Sequence, residues 1–462
     1  MLGKGLNALA KICILLAIAA VLLQNGCAWS VLTAYVIWKF VKKPIPHFTV
    51  ILFSGTLIFF LVIIYTLHPP IVSDFQLLYQ AAQNILEHDD AYMMGAYFKI
   101  WAYQTPFVLW EAFWLFLWNS PIFLKLVNAI LVSGIICLLY RLSREWASET
   151  AAQTASLLLV VFPFFSTYHV ILSNQIPAAF FMTLAVWLLV CSDCRRLGFF
   201  RFPLAGLALQ MGNLLRSEGI IIVVAILAWI VFYLLKYPKE LRRFGAGMIA
   251  LFIVYFSIHA GADTAVHALG YNPYGIGNGN PLWKIVTGIC PESRGSYSGG
   301  DWNRIVPTLN EKQEATSATE ELEKKIIQNR LLQMKQQPFL LYQLLRNKIK
   351  LLWITDALYW AFAQFALYHP FSYIFIRQFD RGIFLIALGL FCYGGFGKTV
   401  WERREPAAKF PYFIFFAAFC AFLIVEVQPR YAYLPQLYLF IGAAFGIEKL
   451  QEKQKSKQLN TA

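Results

Sequence analysis

Charge is what this chain has least of. Of 462 residues only 14% are charged, against 59% hydrophobic and 17% aromatic, and mean hydropathy is +0.56. A soluble domain does not carry so few charges on so apolar a background. No alternating apolar–polar pattern recurs, which excludes a membrane β-barrel and leaves helices as the spanning element. The first apolar stretch has no small-residue cleavage site before the next, so it reads as retained rather than as a secretory signal. Cysteine offers little: eight residues, mostly inside apolar stretches. Cys191 and Cys194 form a CxxC with no second pair nearby, so zinc or redox chemistry is not expected there. There is no DxD motif and no His cluster with ligand spacing, so no metal site is expected, although a divalent ion stays possible. No internal repeat stands out.

What is there is a succession of apolar stretches punctuated by base. The net charge of +14 could point to nucleic acid. Here the basic residues fall in short clusters between apolar stretches, so they read as topology signals and contacts to anionic lipid heads, not nucleic acid. Residues 8–24 and 28–41 form a hairpin of two short spans, flanked by Lys4 and Lys11 at one end and Lys39, Lys42 and Lys43 at the other. The stretch 48–67 then leaves the cytoplasm and delivers Asp74 to the outer face. Ser73 is a good N-cap residue, and Phe75, Leu78, Tyr79, Ala82 and Leu86 recur at helical spacing. This predicts an amphipathic surface helix with Asp74 in its first turn.

Residues 106–118 are apolar but too short to span, and Glu111 interrupts them; they suit a second interfacial helix. If they do not cross, spans at 121–140, 150–170, 178–191, 202–217, 219–235 and 244–260 place every basic loop on one side. Those loops carry Arg141 and Arg144; Arg195, Arg196 and Arg201; and Lys236, Lys239, Arg242 and Arg243. That asymmetry is what the positive-inside rule requires, and letting 106–118 cross would invert it.

The expected organisation is an N-terminal transmembrane module (1–260) with an external juxtamembrane loop (68–120). A large extracytoplasmic segment follows (261–377), then C-terminal spans (378–450) and a cytoplasmic tail (451–462) that reads as disordered. The external segment opens on the loop GYNPYGIGNGNP and carries one surface helix over 318–350. Residues 353–375 could dip into the bilayer. Spans at 379–396, 410–427 and 432–448 close the chain, with Lys398, Arg403 and Arg404 inside. The fold class is therefore an all-α polytopic bundle of about twelve spans.

Polar residues at the rims of spans are functional candidates. On the outer side fall Asp74; Gln104, at the head of the second interfacial segment; Asn174 and Gln175; Arg216 and Glu218; Lys348; and Glu426, Arg430 and Tyr431 beside Gln428. Several have a plainer reading. Asp74 could merely stabilise a helix start, and Arg216 with Glu218 could be a local ion pair. Glu426 and Arg430 could pair at i,i+4, although Pro429 disturbs that geometry. Tyr431 fits an interfacial aromatic belt, and Lys348 a solvated face. Taken together, a lone carboxylate among cations suits a lipid-phosphate substrate. The cations would neutralise phosphate and steady charge building on it. The carboxylate would accept a proton from a hydroxyl or amine.

The layout resembles the GT-C superfamily of integral-membrane glycosyltransferases, nearest the protein O-mannosyltransferase and aminoarabinose transferase branch. The residues that carry the resemblance are Ser73-Asp74-Phe75 at the start of a juxtamembrane helix and the second juxtamembrane segment YQTPFVLWEAFWLF. To these are added the span KLVNAILVSGIICLLYRLSRE with its basic turn and the late pair Arg430-Tyr431. The resemblance implies a GT-C-like bundle, a polyprenyl-phosphate-linked sugar donor and inverting transfer on the extracytoplasmic face to a glycan, lipid or protein acceptor. Asp74 would be the general base and Arg430 a phosphate contact; Arg216 and Lys348 are further candidates for the same phosphate. Phe75 stands where many members have Glu, and Asn174-Gln175 where many have a second Asp, so metal dependence and acceptor class stay open. A bacterial plasma membrane is the expected location. A multi-pass transporter or flippase for lipid-linked sugars, or a non-catalytic scaffold, are the competing readings. The first needs polar residues near mid-membrane or matched broken helices, whereas the charges here gather at span ends.

Overall fold

The computed structural model describes residues 25–311, 314–354, 357–395 and 405–461. The expected span at 8–24 and the basic cluster Lys398, Arg403 and Arg404 lie outside them. The all-α architecture stands: the described residues form helices and connecting loops without strands. In chain order the main helices are α1 Gly26–Phe40, α2 Phe48–Thr66, α3 Asp74–Leu86, α4 Thr105–Leu117 and α5 Pro121–Trp146. They continue with α6 Glu149–Val160, α7 Gln175–Val190, α8 Arg201–Leu215, α9 Gly219–Lys236 and α10 Leu241–Ala268. The external segment holds α11 Trp283–Gly288, α12 Ser317–Gln336 and α13 Pro338–Ile349, and the chain closes with α14 Pro370–Gly395, α15 Phe410–Ile424 and α16 Tyr433–Thr461.

The core is built around the last helix. From Leu434 to Ile447 α16 is buried on almost every side, packed by α14, α6, α15 and α5. Close approach there depends on small residues, as helix contacts in a membrane do. A Cβ on Gly446 would sit 2.2 Å from the Leu390 carbonyl oxygen of α14, and one on Gly382 would run into Ser30 of α1.

Five helices among the described residues are long and apolar enough to cross a membrane, or seven if each of two bent pairs is one span. Sequence periodicity gives about twelve. Part of the difference is the run 8–24, which lies outside the described residues; the rest lies in helices that are short, broken or charged. The run 150–170 is two helices meeting at 60°, Glu149–Val160 and Pro163–Val170, because Pro163 can start a helix but not continue one. The backbone N–H of Phe164 at that restart donates to Asp380 Oδ1 at 2.7 Å, which explains an acidic residue inside α14. In the other bent pair, α7 and α8 run antiparallel: Asn174 before α7 meets Arg216 after α8.

Three local expectations are corrected. Ser73 precedes α3 but its side chain makes no cap, and its φ of 57° is left-handed. The helix expected over 318–350 breaks between Gln337 and Pro338, whose ring excludes the hydrogen bond needed to continue. The tail is not a separate disordered piece, since α16 runs to Thr461 on helix-favouring Glu, Lys and Gln.

The ends of the bundle separate cleanly. At one end Arg141 pairs with Asp193, the Ser148 N–H donates to Glu448, Lys236 meets Glu405, and Gln153 binds the backbone of Ile45. The loops that carry Arg141 and Arg144, Arg196, and Lys236 belong to this end. At the other end Asp74, Gln104, Asn174, Arg216, Glu426 and Arg430 gather in one pocket. Since α2 starts at the basic end and α5 finishes there, residues 67–120 begin and end at the pocket end, and α4, with 13 residues, is not among the helices long enough to cross.

Candidate active site

Two amphipathic elements bring Asp74 into place. Phe75, Leu78, Ala81 and Ala82 bury one face of α3 against α4, which leaves Asp74 at the exposed N-terminus with its side chain 43% exposed. The late loop 425–432 brings the counter-charge. Arg430 Nη2 donates to Asp74 Oδ2 at 3.1 Å, while its guanidinium lies 5.0 Å from the Phe75 ring centre and 5.9 Å from that of Tyr431.

That loop is held from behind. Lys348 is buried, and its ammonium donates to the carbonyls of Gly288, Leu423 and Val425 at 2.7, 2.9 and 2.8 Å. The Glu426 N–H donates to the Lys284 carbonyl, and that of Val427 to Gly295, both at 2.8 Å. Lys348 is therefore neither a solvated lysine nor a phosphate contact: all three donors are spent on backbone, and it does not line the pocket. Gln175 is corrected likewise. It sits behind the pocket, accepting from the Tyr168 hydroxyl at 3.1 Å and donating to the Arg430 carbonyl at 3.3 Å.

The remaining candidates converge. The pocket, about 360 Å³, is lined by Asp74, Gln104, Asn174, Arg216, Glu218, Glu426, Arg430 and Tyr431. Arg216 reaches Glu218 through Nε and Nη2, each 2.5 Å from Oε1, and donates to Asn174 Oδ1 at 3.0 Å. Asn174 in turn donates to Gln104 at 3.3 Å. Burial pushes the Glu218 carboxyl up and the Arg216 charge opposes it. Tyr431 is no belt residue: Arg216 lies 4.9 Å from its ring centre. Glu426 and Arg430 do not pair with each other. Glu426 is buried and takes Lys284 Nζ on Oε2 at 2.6 Å and Gln428 Nε2 on Oε1 at 2.8 Å.

Lys284 is the charged residue that sequence reasoning missed, along with Tyr97, Trp101, Tyr103, Trp283 and Tyr297 on the same walls. Burial disfavours the Lys284 ammonium, but Tyr431 and Glu426 outweigh it and hold the group charged. Its one visible signal was a lysine set in the apolar run PLWKIV just after the Gly/Asn-rich loop. Tyr97 is pushed well above the usual phenol range, first by burial and then by the charge of Asp74, so it stays a donor. No group of three or more His, Cys, Asp or Glu among the described residues is placed to hold a metal.

Fold and site together define a helical membrane protein with three cations and a half-exposed carboxylate at the end opposite its basic loops. Residues 104–259 match the family model described as dolichyl-phosphate-mannose-protein mannosyltransferase. The resemblance to GT-C glycosyltransferases holds over that stretch, which supplies Gln104, Asn174, Arg216 and Glu218; Asp74, Lys284, Glu426 and Arg430 lie outside it. Among solved structures the chain is similar to ArnT from Cupriavidus metallidurans, crystallised with undecaprenyl phosphate. Identity is 13% and the TM-score 0.34, over 87% of this chain and 77% of that one, an overlap too loose to carry an argument about the site. No curated protein matches the chain.

Proposed function

We propose that this protein is a GT-C-type glycosyltransferase that moves a sugar from a polyprenyl-phosphate-linked donor to an extracytoplasmic acceptor. The observation that carries the reading is the Asp74 carboxylate, half exposed at a pocket whose other charged walls are Arg430, Arg216 and Lys284. In the displacement, an acceptor oxygen or nitrogen forms a bond to the anomeric carbon as the carbon–oxygen bond to phosphate breaks. The leaving electron pair goes to the phosphate, and the configuration inverts. The acceptor's proton goes to Asp74, a base already oriented by Arg430. The three cations face the charge that builds on the departing phosphate.

The two-ended layout supports the side of the membrane. If the basic end is cytoplasmic, the pocket opens on the extracytoplasmic face, where membrane lipids can deliver a prenyl-anchored donor. The test is transfer of radiolabelled sugar from polyprenyl-phosphate donors into membrane acceptors. The expected result is loss of transfer in Asp74→Asn at unchanged protein level. Equal label in wild type and variant would overturn the assignment of the base, and transport in sealed vesicles without a covalent product would favour the transporter.

A further inference from the structure

Beyond Glu323 the external segment changes character. Between Glu323 and Asp356 the sequence holds seven Lys and Arg residues and no acid, at the end of the bundle opposite the Arg141 and Lys236 loops. Three of the seven are engaged within the fold: Lys324 pairs with Glu320 at 2.5 Å, Arg330 with Asp301 at 2.8 Å, and Lys348 is spent on carbonyls. Lys325, Lys335 and Arg346 are exposed and make no ion pair among the described residues.

The helix that ends this stretch has two apolar faces. Leu340, Leu344 and Lys348 recur at helical spacing on the inner face of α13, where Leu344 and Met334 of α12 pack with Ile289. Phe339, Tyr342 and Ile349 recur with Arg346 on the opposite face. Phe339 and Tyr342 stack there with ring centres 6.0 Å apart, yet they are 67% and 58% exposed. Leu331 and Leu332, beside Lys335 near the end of α12, are exposed as well. A helix on a water-facing loop needs one apolar face; a second calls for an apolar surround. Lys348 sets the level of this face. Its ammonium sits on the carbonyls of Leu423 and Val425, at the end of α15, a helix apolar enough to cross a membrane. Ile424, the last residue of α15, is itself exposed, so α13 lies where an apolar flank gives way to the headgroup layer.

We propose that this face docks on the leaflet at the pocket end. Phe339 and Tyr342 enter the boundary between headgroups and acyl chains, and Lys335 and Arg346 take the phosphates of anionic phospholipids. A second copy of the chain fits worse, because two such faces would bring like charges together. Through Lys348 the same helix holds the loop that carries Arg430, so docking ties one wall of the pocket to the membrane surface. The inference stands apart from what the pocket transfers.

The test uses the full chain with the photocrosslinker benzoylphenylalanine in place of Tyr342, in nanodiscs of equal phosphatidylcholine and phosphatidylglycerol. After irradiation the adducts are identified by mass spectrometry. Lipid adducts are expected, with phosphatidylglycerol favoured about fivefold, the effect of one cation close to a charged headgroup. Lys335→Gln combined with Arg346→Gln should bring the two lipids to equal yield while leaving the total lipid adduct unchanged. Absence of lipid adducts, adducts to a second copy of the chain, or the two lipids captured equally without the charge substitutions would each overturn the proposal. So would enrichment that survives both substitutions. The comparison of the two lipids before those substitutions decides even if the doubly substituted chain misfolds.

Discussion

Arg430 and Asp74 lie 356 positions apart in the chain, yet a nitrogen of one and an oxygen of the other are 3.1 Å apart at the mouth of the pocket. The pair joins the first large loop to the last. It also keeps the carboxylate on the wall of the pocket.

The pair should act as a unit. Arg430→Ala is expected to cut the transfer rate by roughly a hundredfold or more, the size of effect seen when one preorganised cation or donor is removed. Arg430→Lys should recover part of it, because charge survives while the planar fork does not. Adding Arg430→Ala to Asp74→Ala should cost little beyond the single change. Additive losses in that double variant would show that the two residues work separately.

Lys284 and Glu426 form an ion pair of which the carboxylate is buried and the ammonium is partly exposed in the pocket. Lys284→Ala is expected to destabilise by about 3–5 kcal/mol, because it strands the buried Glu426 carboxylate, and Glu426→Ala by less, because the ammonium can turn to solvent. Lys284→Gln combined with Glu426→Gln should melt close to wild type yet transfer poorly, since the pocket has lost a cation. Thermal melts in detergent, run beside transfer assays, separate the two effects.

Lys348 offers a sharper contrast. Lys348→Met leaves three carbonyl oxygens without donors, at about 1–3 kcal/mol for each buried acceptor left unmade. Accumulation of the protein should fall steeply. In the fraction that folds, donor KM should stay near wild type, because the ammonium never faced the substrate. A raised KM with normal stability would return Lys348 to the site.

Transfer is expected to persist in excess chelator. Each of the three pocket carboxylates already faces a cation: Asp74 on Arg430, Glu218 on Arg216 and Glu426 on Lys284. A divalent ion would have to displace one of them. Loss of activity in chelator, restored by added magnesium or manganese, would contradict this.

Much of this arrangement was legible in the sequence, for reasons that differ from residue to residue. Asp74, Arg216 and Arg430 were readable because a charge at the end of an apolar run has few roles. The place of α4 at the pocket end was readable because only that choice keeps the basic loops together. Lys284 and Lys348 were not separable from sequence, since both are lysines in a long external segment. What divides them is whether the ammonium meets a carboxylate in a pocket or three backbone carbonyls in a wall, and that depends on a loop more than seventy residues further on. The break inside the run 150–170 was not legible because hydropathy is blind to direction. Pro163 changes the path without changing the apolar character, and the group that compensates it, Asp380, comes from another helix.

The helix around which the others pack is also the one that Arg430 leads into. Until α16 is seated, its neighbours enclose an empty slot, and nothing holds Arg430 against Asp74. Closure of the bundle core and assembly of the Arg430–Asp74 pair are thus a single event in folding. A bundle whose central helix is not seated would carry the carboxylate without its partner.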